Sequence, residues 1–183
     1  MEFRIATLSE IDEVLTLHQK YQIDSINEND KSDGFITTAF TKAHLVELIQ
    51  IEQGLFVAIN DDVIVAYAMS ASWNYWSKWP MFEYMIKKLP ELSYEGIELN
   101  INNSYQYGPV CVDKSIRNSG VFEALFEFAL TEMSKRYPVL VTFVNKINTR
   151  SFAAHTRKVK LDVIQEFEFN NNYYYELACK TER

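Results

Sequence analysis

The sequence predicts a mixed α/β fold of the α+β kind, one domain over residues 1–183 with a central sheet flanked by helices, and three observations carry the prediction. Segments with apolar residues at helical spacing alternate with β-rich runs along the chain. Hairpin signals bracket this alternation, Asn60-Asp61-Asp62 in the first half and Asn170-Asn171-Asn172 near the end. Between them lies Val139 to Val144, a continuous apolar run suited to a strand buried on both faces. Alternation alone would give a purely parallel sheet; the hairpins make it a mixed one.

Taking the elements in order, Glu2 to Ala6 reads as a strand. Ser9-Glu10-Ile11-Asp12 reads as a capping box, opening a helix whose inner face is Ile11, Val14, Leu15 and His18. His18, on that apolar face, is expected to be structural. Gln22 to Gly34 is polar, acidic and unpatterned, as a loop would be. Thr41 to Gln53 carries Leu45, Leu48 and Ile49 at helical spacing, and Gly54 is expected to stop it. Leu55 to Ile59 and Val63 to Ala71 form the first hairpin. Trp73 to Asn103 is rich in aromatic residues and lacks clear periodicity, except for a short helix expected between Pro80 and Pro90. Ser104 to Val112 reads as a strand, Gly120 to Arg136 as a helix ended by Pro138, and Asn148 to about Lys158 as a further helix. Val163 to Phe169 and Tyr173 to Cys179 close the chain as a hairpin.

Composition excludes some functions. A net charge of −7 argues against nucleic-acid binding, which needs a basic face. No apolar run reaches the roughly 18 residues of a membrane helix, so no membrane association is expected. Cys111 and Cys179 each stand alone, without metal-ligand spacing, and read as buried free thiols in a reducing compartment; no metal is expected. Met1-Glu2-Phe3-Arg4 does not open a secretory signal, and a cytoplasmic location is the expectation.

The chemistry concentrates in Val110-Cys111-Val112-Asp113-Lys114-Ser115-Ile116-Arg117-Asn118-Ser119-Gly120-Val121-Phe122, which runs from strand through a polar turn into a helix. A helix start offers unpaired N–H groups and the positive end of the helix dipole, a seat for phosphate. Gly120 lets backbone approach a ligand, and Arg117, Asn118 and Ser119 add donors. A plain tight turn would look the same. The five glycines are too scattered for a P-loop or dinucleotide fingerprint, although a generic nucleotide-binding domain stays open on the Gly120 turn.

Arg117-x-x-Gly120-x-Phe122 resembles the pyrophosphate-binding motif of the GNAT superfamily of N-acetyltransferases, Arg/Gln-x-x-Gly-x-Gly/Ala, with Phe122 where a small residue is usual. Asn148-Thr149-Arg150-Ser151-Phe152-Ala153-Ala154-His155 is similar to the family helix Asn-x-x-Ser/Ala-x-x-x-Tyr/His, and the order of elements agrees over nearly the whole chain. Val159-Lys160-Leu161 stands where the family usually has Gly-Phe. The resemblance implies a mostly antiparallel twisted sheet and an enzyme that uses acetyl-CoA. It implies a cofactor site of Val110, Cys111, Val112, Arg117, Asn118, Ser119, Gly120, Val121, Phe122, Asn148, Ser151 and His155, seated where parallel strands ending at Val112 and Val144 part. Lys146, Arg150, Arg157, Lys158 and Lys160, with no acid between Asn145 and Leu161, suit a phosphorylated cofactor or simply a solvated helix face.

The implied reaction is direct attack of a primary amine on the thioester in a ternary complex, with N–H groups around Val110 to Val112 polarising the carbonyl. His155 takes the place of the family's tyrosine that protonates the departing sulfur, or else packs its helix. Cys111 reads as inert. No acid lies between Asn100 and Val112, which leaves Glu98, Glu83 or Tyr107 as base candidates and keeps open a domain that binds acyl-CoA without catalysis. The expected partner is a small-molecule or peptide amine acceptor, with a homodimer left open. Asp24, Glu28, Asp30 and Asp33 would favour a cationic amine, while the aromatic residues of 73–107 read as core.

Overall fold

A computed structural model describes residues 1–22, 24, 26, 28 and 35–183. The described residues form strands β1 (Glu2–Ile5), β2 (Leu55–Asn60), β3 (Val63–Ala71), β4 (Ser93–Tyr94), β5 (Ile97–Glu98), β6 (Ser104–Val112), β7 (Val139–Asn145), β8 (Asp162–Phe169) and β9 (Asn172–Lys180). The helices are α1 (Ile11–Tyr21), α2 (Lys42–Gln50), α3 (Trp73–Trp76), α4 (Pro80–Lys88), α5 (Val121–Ser134) and α6 (Thr149–Ala153). The main sheet runs β1-β2-β3-β6-β7-β9-β8, and β4-β5 is a separate hairpin. β6 and β7 pair in parallel, whereas β1–β2, β2–β3, β7–β9 and β8–β9 are antiparallel, so the sheet is mixed and mostly antiparallel. By contact the chain forms two compact units, Met1–Ser70 with Gly108–Ala129 and Ala71–Tyr107 with Leu130–Arg183.

In the first unit, α1 buries Ile11, Val14, Leu17, His18 and Tyr21. His18 is structural as expected: its Nδ1 lies 2.6 Å from the Tyr67 hydroxyl, Phe40 meets it edge-on, and burial pulls its pKa down to about 4. The capping box is not Ser9–Asp12. It sits two residues earlier, where the Thr7 amide donates to the Glu10 carboxylate at 2.7 Å. Glutamate reaches back further than Asp12 could, and the Arg4 guanidinium holds it there. Thr41 caps α2 by accepting the His44 amide, while His44 Nδ1 accepts the Thr41 amide. Asp61 and Asp62, at φ +49° and +64°, turn the β2–β3 hairpin in the left-handed conformation such residues tolerate.

In the second unit the aromatic stretch is core. Trp73, Tyr75 and Trp76 are fully buried; the Trp73 indole donates to Ser104 Oγ at 2.9 Å and the Trp76 indole to the Gln106 carbonyl at 3.2 Å. Both indole edges are satisfied by β6, so these two rings are anchored rather than left as a ligand cage. Phe82 on α4 packs against Trp76 and Phe143, which extends the cluster onto β7.

Candidate functional site

The polar turn after β6 folds around its own donors. Asp113 accepts from the Ser115 amide at 2.9 Å and from Lys20 Nζ at 2.6 Å. Burial opposes ionisation of Asp113, yet the hydrogen bonds from Lys20 and Ser115 outweigh it and hold the carboxyl well below the usual carboxylate range. Arg117 donates Nε to the Val112 carbonyl at 3.1 Å, folding its side chain back along the end of the strand. Asn118 and Gly120 take φ of +63° and +86°, while Asn118, Ser119 and Gly120 are exposed at the start of the 14-residue α5. A Cβ built on Gly120 meets nothing within 4 Å. Glycine therefore stands there for its left-handed φ, and the space beside this helix start is open to an anion. Val110 and Val112 are half-buried; Cys111 is 4% exposed, and burial pushes its thiol up to about 12, which makes it inert as a nucleophile. Val121 is buried and Phe122 half-buried, both on the helix itself.

In the second unit, β6 pairs with β7 only over Ser104–Gln106 against Val139–Val141. The next carbonyl, that of Tyr107, accepts from the Thr142 hydroxyl and from Gln106 Nε2, both at 2.6 Å. Gly108 then takes φ +103°, and Pro109 has no N–H to give a ladder. Ser104–Val112 is one strand, as its sequence predicts, and Gly108-Pro109 follows the point where its pairing with β7 ends.

Asn148, Ser151 and His155 are brought together on one helix, but largely to serve each other. Asn148 caps α6 by accepting the Ser151 amide at 3.2 Å. The Ser151 carbonyl lies 2.7 Å from His155 Nδ1 and its hydroxyl 3.3 Å away. A carbonyl oxygen only accepts, so Nδ1 carries the hydrogen and Nε2 is the acceptor. Burial lowers the His155 pKa, which leaves the ring neutral at pH 7 without a stored proton for a leaving group. Past Ala153 the helix widens into a π turn, Ala154–Lys158, which carries His155. Lys160 then adopts φ +60°, the conformation a glycine takes without cost, and Leu161 is buried after it.

Tyr107 packs edge-on to His155 at 6.0 Å between ring centroids, and burial drives its phenol pKa far up, so it acts only as a phenol. Glu98 and Glu83 are both exposed and Glu83 faces Lys87, which removes them as buried bases. A fully buried acid lies elsewhere, on β9. Glu176 is 1% exposed; its Oε2 accepts from Gln165 Nε2 at 2.5 Å, and burial pushes its pKa up to about 7. Its run, Tyr-Tyr-Glu-Leu-Ala-Cys, shows one acid inside an apolar strand, a signal that was available in the sequence. Lys146 pairs with Glu166 at 2.9 Å, whereas Arg150, Arg157, Lys158 and Lys160 are exposed. Asp24 and Glu28 are exposed; Asp30 and Asp33 lie outside the described residues. Among the described residues no group of three or more His, Cys, Asp and Glu side chains is arranged to hold a metal, and no helix is long and apolar enough to cross a membrane.

No family model matches the sequence, and no curated protein matches it either. Solved structures do. An acetyltransferase of the GNAT family from Streptococcus agalactiae superposes with a TM-score of 0.66 at 14% identity, covering 100% of this chain and 96% of that one. The yncA protein from Salmonella typhimurium, solved with its cofactor acetyl-CoA, gives 0.65 at 13% identity over 100% and 94%. The ribosomal-protein-alanine N-acetyltransferase from Brucella melitensis gives 0.64 at 16% identity over 98% and 99%. The chain has the GNAT fold.

Proposed function

We propose that this chain acts as a single domain, an N-acetyltransferase that moves the acetyl group of acetyl-CoA onto a primary amine of a small molecule or peptide by direct attack in a ternary complex. One observation carries the reading: in a GNAT fold, the turn after β6 holds Arg117 folded along the strand end and opens α5 through a left-handed Gly120 with clear space beside it. Those are the requirements of a pyrophosphate seat, and the residues present fit coenzyme A. When bound, the thioester supplies the acetyl group and a thiolate leaving group.

In this reading Arg117 and the first amides of α5 neutralise the pyrophosphate, and the strand end at Val110–Val112 orients the thioester carbonyl. His155 works as base before it works as acid. With Nδ1–H committed to the Ser151 carbonyl, Nε2 takes the proton the amine releases and returns it to the departing sulfur. Tyr107 lies edge-on against that ring. One proton is shuttled, so a neutral imidazole suffices and no glutamate on β6 is required.

The first test is binding. Coenzyme A at about ten times its Kd should raise the melting temperature by about 3–6 °C. No shift at millimolar acetyl-CoA, with folding verified, would sink the proposal. The second is catalytic. With an acceptor found from a panel of polyamines, amino acids, aminoglycosides and peptide N-termini, His155→Phe should lower kcat about 100-fold and leave the KM for acetyl-CoA within about twofold. An unchanged kcat would assign His155 to packing. Tight acetyl-CoA binding with no turnover across the panel would favour a non-catalytic acyl-CoA-binding domain.

A further inference from the structure

The turn that this reading assigns to the pyrophosphate is held from outside by the Lys20–Asp113 ion pair and, at two further points, by Tyr21. Tyr21 is the last residue of α1 and is 5% exposed. Its hydroxyl oxygen accepts the Lys114 amide at 2.8 Å and donates toward Asp113 Oδ2 at 3.4 Å. Its ring carries the Arg117 guanidinium, 5.0 Å from the centroid. Phenol and ring thus grip the turn at two points, its entry and its arginine. The Tyr21 carbonyl in turn accepts the Ile36 amide at 2.9 Å, which fixes the end of α1 itself.

An arginine side chain has four rotatable bonds, and an anion that must immobilise it loses affinity to rotamer entropy. Stacking on Tyr21 and the Nε bond to Val112 settle the plane of the guanidinium before any ligand arrives. The Lys114 bond does the same for the backbone that leads to it.

We propose that Tyr21 is a positioning residue for the cofactor, presetting Arg117 and the 113–117 backbone so that the pyrophosphate meets an ordered site; this rests on the coenzyme A reading above. Tyr21 touches no reacting atom. It acts through Arg117, and that dependence can be measured.

Coenzyme A affinity is measured by calorimetry on the wild type, Tyr21→Leu, Tyr21→Phe, Arg117→Ala and the double variant Tyr21→Leu/Arg117→Ala, each checked for folding. Tyr21→Leu, which loses both ring and hydroxyl, should raise Kd about tenfold, and Tyr21→Phe, which keeps the ring, about two- to threefold. In the Arg117→Ala background Tyr21→Leu should cost less than about twofold more, because most of what it positions has gone. A purely structural role would give the same penalty in both backgrounds, and that additivity would overturn the proposal. So would an unchanged Kd in Tyr21→Leu. If Tyr21→Leu fails to fold, the same cycle is run with Tyr21→Phe, where additivity is equally decisive. A wild type that does not bind coenzyme A at all overturns the functional reading itself, and this inference with it.

Discussion

Gly54→Ala should cost at least about 3 kcal/mol of stability, lowering the melting temperature by about 6–12 °C or preventing folding altogether. Gly54 was expected to stop α2 by its conformational freedom, and it does follow that helix. Its φ is not in the left-handed region; what it provides is space. The Gly54 carbonyl accepts the Ser70 amide at 2.8 Å, which lays its backbone directly on β3. A Cβ there would lie 1.6 Å from the Ser70 carbonyl oxygen and 2.8 Å from its carbon. The obstacle is backbone, in a strand paired with β2, so relief requires moving β3 or breaking the contact. Alanine is the smallest possible addition, which makes the test clean. An alanine variant that unfolds in denaturant within about 0.5 kcal/mol of wild type would mean that the backbone there gives way freely. Gly120 is the contrast: it has open space, and alanine there meets only its φ of +86°, a cost of about 1–2 kcal/mol.

The two glycines show where the sequence was legible. Periodicity and turn chemistry are local, so α5, β7 and both Asn/Asp hairpins could be read from neighbouring residues. Ser104–Val112 could be read as a strand, but not that its pairing with β7 ends at Gln106, nor that the Tyr107 carbonyl accepts from Thr142, 35 positions away. The candidate site divides in the same way. Arg117, Gly120 and the Asn148–Ser151–His155 spacing are local patterns. That the Asn148 side-chain oxygen caps the helix and Ser151 meets His155 is a matter of three-dimensional geometry, and so is the burial that leaves His155 neutral. Tyr21 lies 93 residues from the Lys114 amide it holds, and no period links them. The capping box failed for another reason. Two overlapping boxes satisfied the same rule, and the pairing of Arg4 with Glu10 chose between them.

Glu176→Gln should make the protein more stable at pH 8 by about 3 kcal/mol and nearly neutral at pH 4.5. Burial raises this carboxyl from its ordinary 4.5 to about 7, with the Gln165 hydrogen bond opposing. The folded chain therefore keeps a proton on Glu176 that the unfolded chain has already released between those two values. Stability from that proton is fully present below about pH 4.5, drains away as pH rises, and is gone above about pH 7. Above that point folding must bury a charge with one hydrogen-bond partner, at 1% exposure. Glutamine imitates the protonated acid: its side-chain carbonyl can still accept from Gln165, and it carries no charge at any pH. The wild-type profile alone would mislead, because His18 and His155 run the other way. Their pKa values are lowered by burial, so they lose stability as pH falls below about 6.5, and Asp113, held well below its usual range, adds to that loss at still lower pH. Subtracting wild type from Glu176→Gln cancels all three. Urea unfolding of both proteins at pH 4.5, 6 and 8 should therefore give a difference that grows steadily with pH. A difference that is flat across the series would mean that Glu176 is charged in the fold with its cost met by another group, and the assignment of a neutral buried acid on β9 would fall.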